Sequence, residues 1–310
     1  MKHSKHVVSA MCLLLLLPAA SAWALLEPSV NLGFTSFMDG GPPAGPGFYF
    51  AEYISYYTAD KLANSPLPPG TDVALDVWVS LNQFIYQSDT PILFGGKWGL
   101  DVIVPLVSIN AAPGAFLPDN GAGLGDVLVG PYLQWDPIMG EKGPIFMQRV
   151  ELQMIFPTGK YDDEKALNPG SNFFSFDPYW AGTYFFTPKL TASWRVHYLW
   201  NAENDDPAFP LTGANDMQAG QAIHANFAAS YEVVEKKLRL GVNGYFFDQI
   251  TDSEVNGANV SEDERVFAIG PGALVSFSQN THLFLNAYFE TDAASRPEGE
   301  RFVVRLVHHF

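Results

Sequence analysis

The side chains that could ligate a metal or carry acid–base chemistry in this 310-residue chain are seven histidines, 33 carboxylates and one cysteine, so their spacing is the first question. The acidic triplets Asp162-Asp163-Glu164, Asn204-Asp205-Asp206 and Glu262-Asp263-Glu264 offer oxygen ligands of the kind Ca²⁺ takes, but not the spaced pattern of a defined calcium loop. They read as solvated acidic surface. His308 and His309 are adjacent; on a strand their imidazoles point to opposite faces and cannot chelate one ion. Ser230 and His224 are the nearest serine–histidine pair for a hydrolase, yet six residues along a strand separate them by roughly 20 Å. The chain contains no HExxH, no phosphate loop and no paired cysteines. The expectation is a protein without enzymatic activity, cofactor or metal.

A second group of polar residues is spaced by twos rather than clustered. At the C-terminus, Phe302, Val304, Leu306 and Phe310 fall on one side of a two-residue period, and Arg301, Val303, Arg305 and His309 on the other. A strand with one apolar and one cationic face suits a barrel wall between lipid and a wet lumen. The same alternation puts Arg149, Glu151 and Gln153 opposite Val150, Leu152 and Met154. It puts Thr191, Ser193, Arg195 and His197 opposite Ala192, Trp194, Val196 and Tyr198. Arg239 and Asn243 likewise alternate with Leu240 and Val242, and Phe284, Asn286, Tyr288 and Glu290 with Leu283, Leu285 and Phe289. The predicted lumen lining is therefore Glu52, Arg149, Glu151, Arg195, His197, Arg239, Phe284, Tyr288, Glu290, Arg301 and Arg305. Glu52 and Glu290 are expected to pair with Arg301 and Arg305, either as a ladder closing the barrel or as a selectivity lining.

These residues need elements to carry them. Period-two segments bounded by turn residues run over Phe48–Tyr57, Val73–Gln87, Lys97–Ile109, Gly125–Trp135, Ile145–Phe156, Phe173–Phe186, Leu190–Trp200, Gln218–Tyr231, Leu238–Gln249, Arg265–Phe277, His282–Thr291 and Arg301–Phe310. Most exceed the ~9–11 residues that a tilted membrane strand requires. Long polar stretches follow the odd-numbered segments, as at Ala59–Asp72, Ala111–Leu124, Thr158–Asn172, Asn201–Met217 and Thr251–Glu264. Mostly tight links follow the even ones, with Ser88–Gly96 and Asp136–Gly143 as longer exceptions. Short periplasmic turns alternating with long extracellular loops are the pattern of an all-β, transmembrane antiparallel barrel. A soluble sandwich, which also alternates, has no reason to sort its loops. Trp135, Trp194, Trp200, Tyr198 and Tyr231 at strand ends would form interfacial girdles.

The N-terminus fits export. A basic start with Lys2, His3, Lys5 and His6 is followed by an apolar core through Leu13–Leu17 and the small–x–small site Ala22-Trp23-Ala24. Residues 1–24 are read as a cleaved signal peptide, which leaves a mature chain without cysteine and with a net charge of about −18. No mature stretch approaches the ~18 apolar residues of a spanning helix. The acidic balance excludes nucleic acid as partner. Residues 25–47, dense in Gly and Pro but apolar at Phe34, Phe37 and Met38, cannot complete a strand ladder. They read as a lumen plug or a periplasmic tether, and residues 48–310 as the outer-membrane barrel. Phe310 is the expected assembly signal.

Several motifs in order over nearly the whole mature chain resemble the outer-membrane transporters of the meta-pathway phenol degradation family. They are Gly33–Gly41 before Tyr53-Ile54-Ser55-Tyr56-Tyr57, Gly125-Asp126, Pro157-Thr158-Gly159-Lys160-Tyr161-Asp162, and Asn168-Pro169-Gly170-Ser171-Asn172. His197-Tyr198-Leu199-Trp200-Asn201, Gly270-Pro271-Gly272 and Arg296-Pro297-Glu298-Gly299 complete them. His308 departs from the barrel pattern, in which the third residue from the end is apolar or aromatic. The resemblance implies a barrel associated with catabolism of aromatic or hydrophobic compounds. The expected partners are outer-membrane lipid, the barrel-assembly machinery and a small hydrophobic or aromatic solute, with the chain a monomer. The alternatives are a sealed structural or surface-interaction barrel and an outer-membrane lipid hydrolase.

Overall fold

The computed structural model describes residues 28, 30–41, 45–63, 73–114, 117–260 and 264–310. The expected signal peptide and Glu262-Asp263 lie outside the described residues. Twelve strands make the wall: β1 (Gly47–Leu62), β2 (Ala74–Leu93), β3 (Gly96–Ala112), β4 (Ala122–Leu124 and Val127–Gln134), β5 (Gly143–Glu151 and Met154–Phe156) and β6 (Ser175–Phe176 and Tyr179–Phe185). They continue with β7 (Leu190–Asn201), β8 (Ala222–Val234), β9 (Leu238–Gln249), β10 (Arg265–Ser276), β11 (Thr281–Ala294) and β12 (Pro297–His309). Each pairs antiparallel with its neighbours in sequence, and β12 returns to β1 in a register that sets Tyr53 against Arg305 and Tyr57 against Arg301. The sheet is closed, which satisfies the backbone of both terminal strands without a free edge.

Alternation decides what each face meets. Phe302, Val304 and Leu306 are exposed on β12 while Val303, Arg305 and Val307 are buried, and β7 repeats this with Val196 and Tyr198 against Arg195 and His197. A band of exposed Ile, Leu, Val, Phe and Trp encircles the wall, far more than a soluble monomer shows. It suits lipid contact. Trp194 packs within this outer layer against Phe146 and Trp180, at 5.8 and 5.4 Å between ring centroids.

All twelve predicted segments correspond to strands, but two predicted as continuous, Ile145–Phe156 and Phe173–Phe186, are broken, and the fourth begins earlier than expected, at Ala122, with a break where the predicted segment starts. β4 is interrupted at Gly125-Asp126, β5 at Leu152-Gln153 and β6 at Asp177-Pro178. The ladder is irregular there rather than lost: Leu152 N–H still reaches the Pro131 carbonyl at 3.0 Å and Asp177 N–H the Gln153 carbonyl at 2.8 Å, while Pro178 has no N–H to give. Asp126 accepts the N–H groups of Gly159 and Ser171 at 2.9 and 2.7 Å, drawing a long loop onto the wall.

The loops sort largely as expected. One end carries tight connections, including the Phe94-Gly95 turn, whose two positive φ angles (51° and 77°) give the twist that joins β2 to β3. The expected long link at Ser88–Gly96 is thus mostly strand, because β2 extends to Leu93. The stretch 136–143 also folds back as a small hairpin, Ile138–Gly140 pairing onto β5. At the long-loop end the link from β11 to β12 departs from the pattern: only Ser295 and Arg296 separate them. There, Met217–Gln218, Ser253–Val255 and Ala258–Val260 build a small three-stranded sheet from two long loops.

Candidate functional site: a divided lumen

Residues 30–41 lie inside the barrel. Leu32, Phe34 and Phe37 join the buried cluster formed by Tyr49, Tyr53, Tyr245, Phe284, Tyr288 and Val303 from the wall. Phe37 retains only 1% of its exposure, and full burial of such a ring contributes about 1.5–3 kcal/mol. Two glycines make the path passable. At Gly33 (φ +82°) an added Cβ would sit 2.8 Å from the Tyr288 ring, and at Gly40 (φ +84°) 2.7 Å from Gly182 Cα. Both positions demand the left-handed region and a close approach, which a side chain would obstruct.

Polar bonds fix the segment to β4, β6, β7 and β8. Arg195 donates through Nε and Nη2 to the two carboxylate oxygens of Asp39 at 2.8 and 2.7 Å. Thr183 and Gln134 donate to the carbonyls of Asp39 and Gly40, at 2.5 and 2.8 Å. Ser193 accepts the Met38 N–H at 3.0 Å, and Asn226 accepts the Gly33 N–H at 2.6 Å while donating to the Asn31 carbonyl at 2.9 Å. Arg195 also lies 4.0 Å above the Tyr179 ring, so the guanidinium is held from two sides.

The segment divides the lumen into two cavities. The outer one, about 140 Å³, opens toward the long loops and touches Phe34 and Thr35, Asp126, Ile155, Tyr161 and Phe173. The inner one, about 610 Å³, reaches the short turns and touches Phe37, Met38 and Asp39 on its ceiling. Tyr53, Gln83 and Arg195 line both, so they stand at the partition.

Ten of the eleven predicted lining residues face inward. Arg149, Glu151, Arg195, His197, Arg239, Phe284, Tyr288 and Arg305 are buried on the inner face. Glu290 accepts the hydroxyls of Tyr57 and Tyr245 at 2.8 and 2.7 Å, and Arg301 lies 4.9 Å from the Tyr57 ring. Glu52 is the correction. It shares a face with exposed Ile54 and accepts the Ser80 hydroxyl at 2.7 Å, while buried Ala51, Tyr53 and Ser55 take the inward positions of β1. The period of two admits no exception for charge: Tyr53 and Glu52 cannot both face in.

The expected ladder of Arg301 and Arg305 with Glu52 and Glu290 is also corrected. Among the described residues neither arginine forms an ion pair with either glutamate. The register sets Arg305 between Tyr53 and Phe284, with its guanidinium 3.6 Å above the Phe284 ring. Cation–π contact replaces the salt bridge, and the phenols take up Glu290.

Three residues gain partners that their sequence spacing conceals. Asp177 accepts from His197 Nδ1 and from His224 Nε2, both at 3.0 Å, all three side chains being fully buried. A carboxylate only accepts, so each ring nitrogen facing it carries the proton. The ligand atoms lie within 4.8 Å of one another, a spacing compatible with a metal ion. The imidazoles, however, stack at 4.2 Å with 17° between planes, so their in-plane lone pairs run in parallel and do not converge. The geometry is a carboxylate bracket for two stacked imidazoles. It belongs to a cross-strand layer, Tyr132–Glu151–Tyr179–His197–His224–Phe247, whose members are consecutive register partners from β4 to β9. Ser230, by contrast, bonds Thr191 at 2.8 Å, so Ser230 and His224 have separate partners.

No curated protein matches the chain in sequence. The family described as "Putative MetA-pathway of phenol degradation" matches residues 57–306. Among solved structures, the COG4313 outer membrane channel from Pseudomonas putida F1 is similar at 18% identity and a TM-score of 0.71, covering 91% of this chain and 100% of that one. The translocator domain of autotransporter NalP from Neisseria meningitidis (10% identity, TM-score 0.49, 86% and 88% covered) overlays too loosely to carry an argument. With a closed twelve-stranded wall, an apolar outer band and a match over residues 57–306, the chain has the fold of an outer-membrane barrel and belongs to the phenol-degradation family.

Proposed function

We propose that this protein is a monomeric outer-membrane channel for small hydrophobic or aromatic compounds destined for catabolism, with residues 30–41 as its gate. The carrying observation is the divided lumen. Two cavities lined by rings meet at a partition made of one short segment rather than a folded domain. Tethers of that kind can be released locally without unfolding the wall, because the segment contributes no strand to it. The family description, tied to phenol degradation, agrees with a solute of aromatic character. The test is uptake of radiolabelled phenol and of a labelled sugar of similar size, in cells with the parent, with residues 30–41 deleted, and with no protein. Protein-dependent phenol uptake that the deletion speeds and makes less selective is the expected result. Equal phenol uptake with and without the protein, in a host whose outer membrane is otherwise limiting, overturns it.

The burial of Phe37 and the number of bonds on the segment favour a second reading, a sealed structural barrel. Solute permeability in liposomes separates the two, since a sealed barrel passes nothing in either the parent or a variant freed of its tethers.

A further inference from the structure

The inner cavity reverses the charge of the protein around it. The chain is strongly acidic, at −16, yet the charged lining of this cavity comprises Arg149, Arg195, Arg239, Arg305, Lys236 and Lys237 against Asp39 and Glu232 alone. Glu232 is taken by Arg239 at 3.3 Å, and Asp39 by Arg195. Two cations remain. Among the described residues Arg149 and Arg305 form no ion pair: Arg149 donates to Gln134 at 3.0 Å and covers the Tyr132 ring at 4.0 Å. Arg305, 8% exposed, lies over Phe284, and its buried Nε has no hydrogen-bond partner. Asp101 and Glu151 are the other buried acids of this region. Neither lines the cavity, and they are hydrogen-bonded to Gln83 and Tyr179 instead. Arg305 meets the Tyr53 hydroxyl but, among the described residues, no carboxylate, and the cavity it lines also presents Phe37, Met38, Ile85, Leu274 and Val307.

We infer that the inner cavity binds an organic monocarboxylate, its carboxylate on Arg305 and its apolar body against Phe37 and Phe284. This rests on the channel reading and names a solute class within it. A buried guanidinium left without a carboxylate beside apolar rings is the arrangement that a planar anion completes, and the fork geometry favours carboxylate. Asp39 already shows the chemistry, being a carboxylate of the chain seated on the neighbouring Arg195. A bound solute carboxylate therefore competes with Asp39 for the same cationic ceiling. The acidic outer loops do not forbid this, because exposed charges are screened over about 8 Å at physiological salt.

The experiment is calorimetric titration of the full-length protein, in a non-ionic detergent, with benzoate, with benzyl alcohol as its neutral counterpart, and with inorganic phosphate. Benzoate should bind at least about tenfold more tightly than benzyl alcohol or phosphate, the worth of one charge-assisted hydrogen bond. Arg305→Gln should remove that advantage, and Asp39→Asn should strengthen benzoate binding without strengthening benzyl alcohol, a gain that misfolding cannot imitate. Equal affinity for benzoate and benzyl alcohol, equal affinity for phosphate, or benzoate binding unchanged in Arg305→Gln each overturns the inference. Uptake of neutral phenol in the same strains reports the channel reading separately. Retained phenol uptake with no benzoate site sinks only the carboxylate proposal, whereas loss of both sinks the two together.

Discussion

Asp39 and Arg195 are 156 residues apart and meet through two parallel hydrogen bonds of 2.8 and 2.7 Å inside the barrel. One belongs to a segment that contributes nothing to the wall, the other to β7. The pair thus ties the partition to the sheet, and most consequences of the structure can be tested through it.

Asp39→Asn removes the charge while retaining an acceptor for Arg195. It should raise single-channel conductance several-fold and leave heat-modifiable migration in gels unchanged. Arg195→Ala should be the more damaging change, because it strands a buried carboxylate, at a cost of about 3–5 kcal/mol. Thermal unfolding of the two variants checks the order; equal losses would show that Asp39 does not depend on Arg195.

Gly40→Ala places a methyl group against the backbone of β6 and strains a positive φ. The segment should be displaced without harm to the wall, so conductance increases as in the deletion of residues 30–41. Circular dichroism should remain dominated by β-structure. Parent-like conductance would show that the segment tolerates the methyl group in place.

The bracket on Asp177 predicts a specific electrostatic loss. Asn at this position offers one acceptor where two N–H groups converge and turns its own N–H₂ toward the other. Asp177→Asn should cost about 1–3 kcal/mol. The single variant His224→Phe should cost less in the Asp177→Asn background than in the parent, and a double-mutant cycle on thermal stability measures that coupling. Strict additivity would mean that the bracket adds nothing.

For the lumen cations the register makes a prediction opposite to a salt-bridge ladder. Arg305→Ala and Glu290→Ala should be additive in stability, whereas Tyr245→Phe and Glu290→Ala should couple, since Tyr245 donates to Glu290 at 2.7 Å. A coupled Arg305–Glu290 pair would restore the ladder.

Leu306 is exposed on the lipid-facing side of β12, and the Phe310 N–H reaches the Phe48 carbonyl at 3.0 Å where the barrel closes. Leu306→Asp puts an acid on that face, where a charge costs up to ~2–4 kcal/mol and acids lie at the lower end. This variant and deletion of Phe310 should both accumulate less in the outer membrane. Unchanged membrane levels by immunoblot would remove the terminal strand from the assembly argument.

Much of this protein was determined by the sequence itself. The period of two, read from Arg301 to Phe310 and repeated in eleven other segments, states which residues share a face, and the sorting of polar stretches states that the sheet is a membrane barrel. Those are local properties: a residue's face follows from its neighbours. Even the misplacement of Glu52 was legible, since Tyr49, Tyr53 and Tyr57 already claim the inner face of β1.

The tertiary structure alone decided which inward residues meet. His197 and His224 lie on β7 and β8 and Asp177 in the break of β6, and only the stagger of these strands brings them together. Arg305 faces Phe284 rather than Glu290 because the β11–β12 register sets it there, with Glu290 six residues further along β11. The path of residues 30–41 has no period from which to read it. It is set by Gly33 and Gly40 finding space beside Tyr288 and Gly182, and by Asp39 finding a cation across the lumen. Closure of a barrel fixes such long-range pairs through strand tilt and stagger, quantities that belong to the whole sheet and to no single segment.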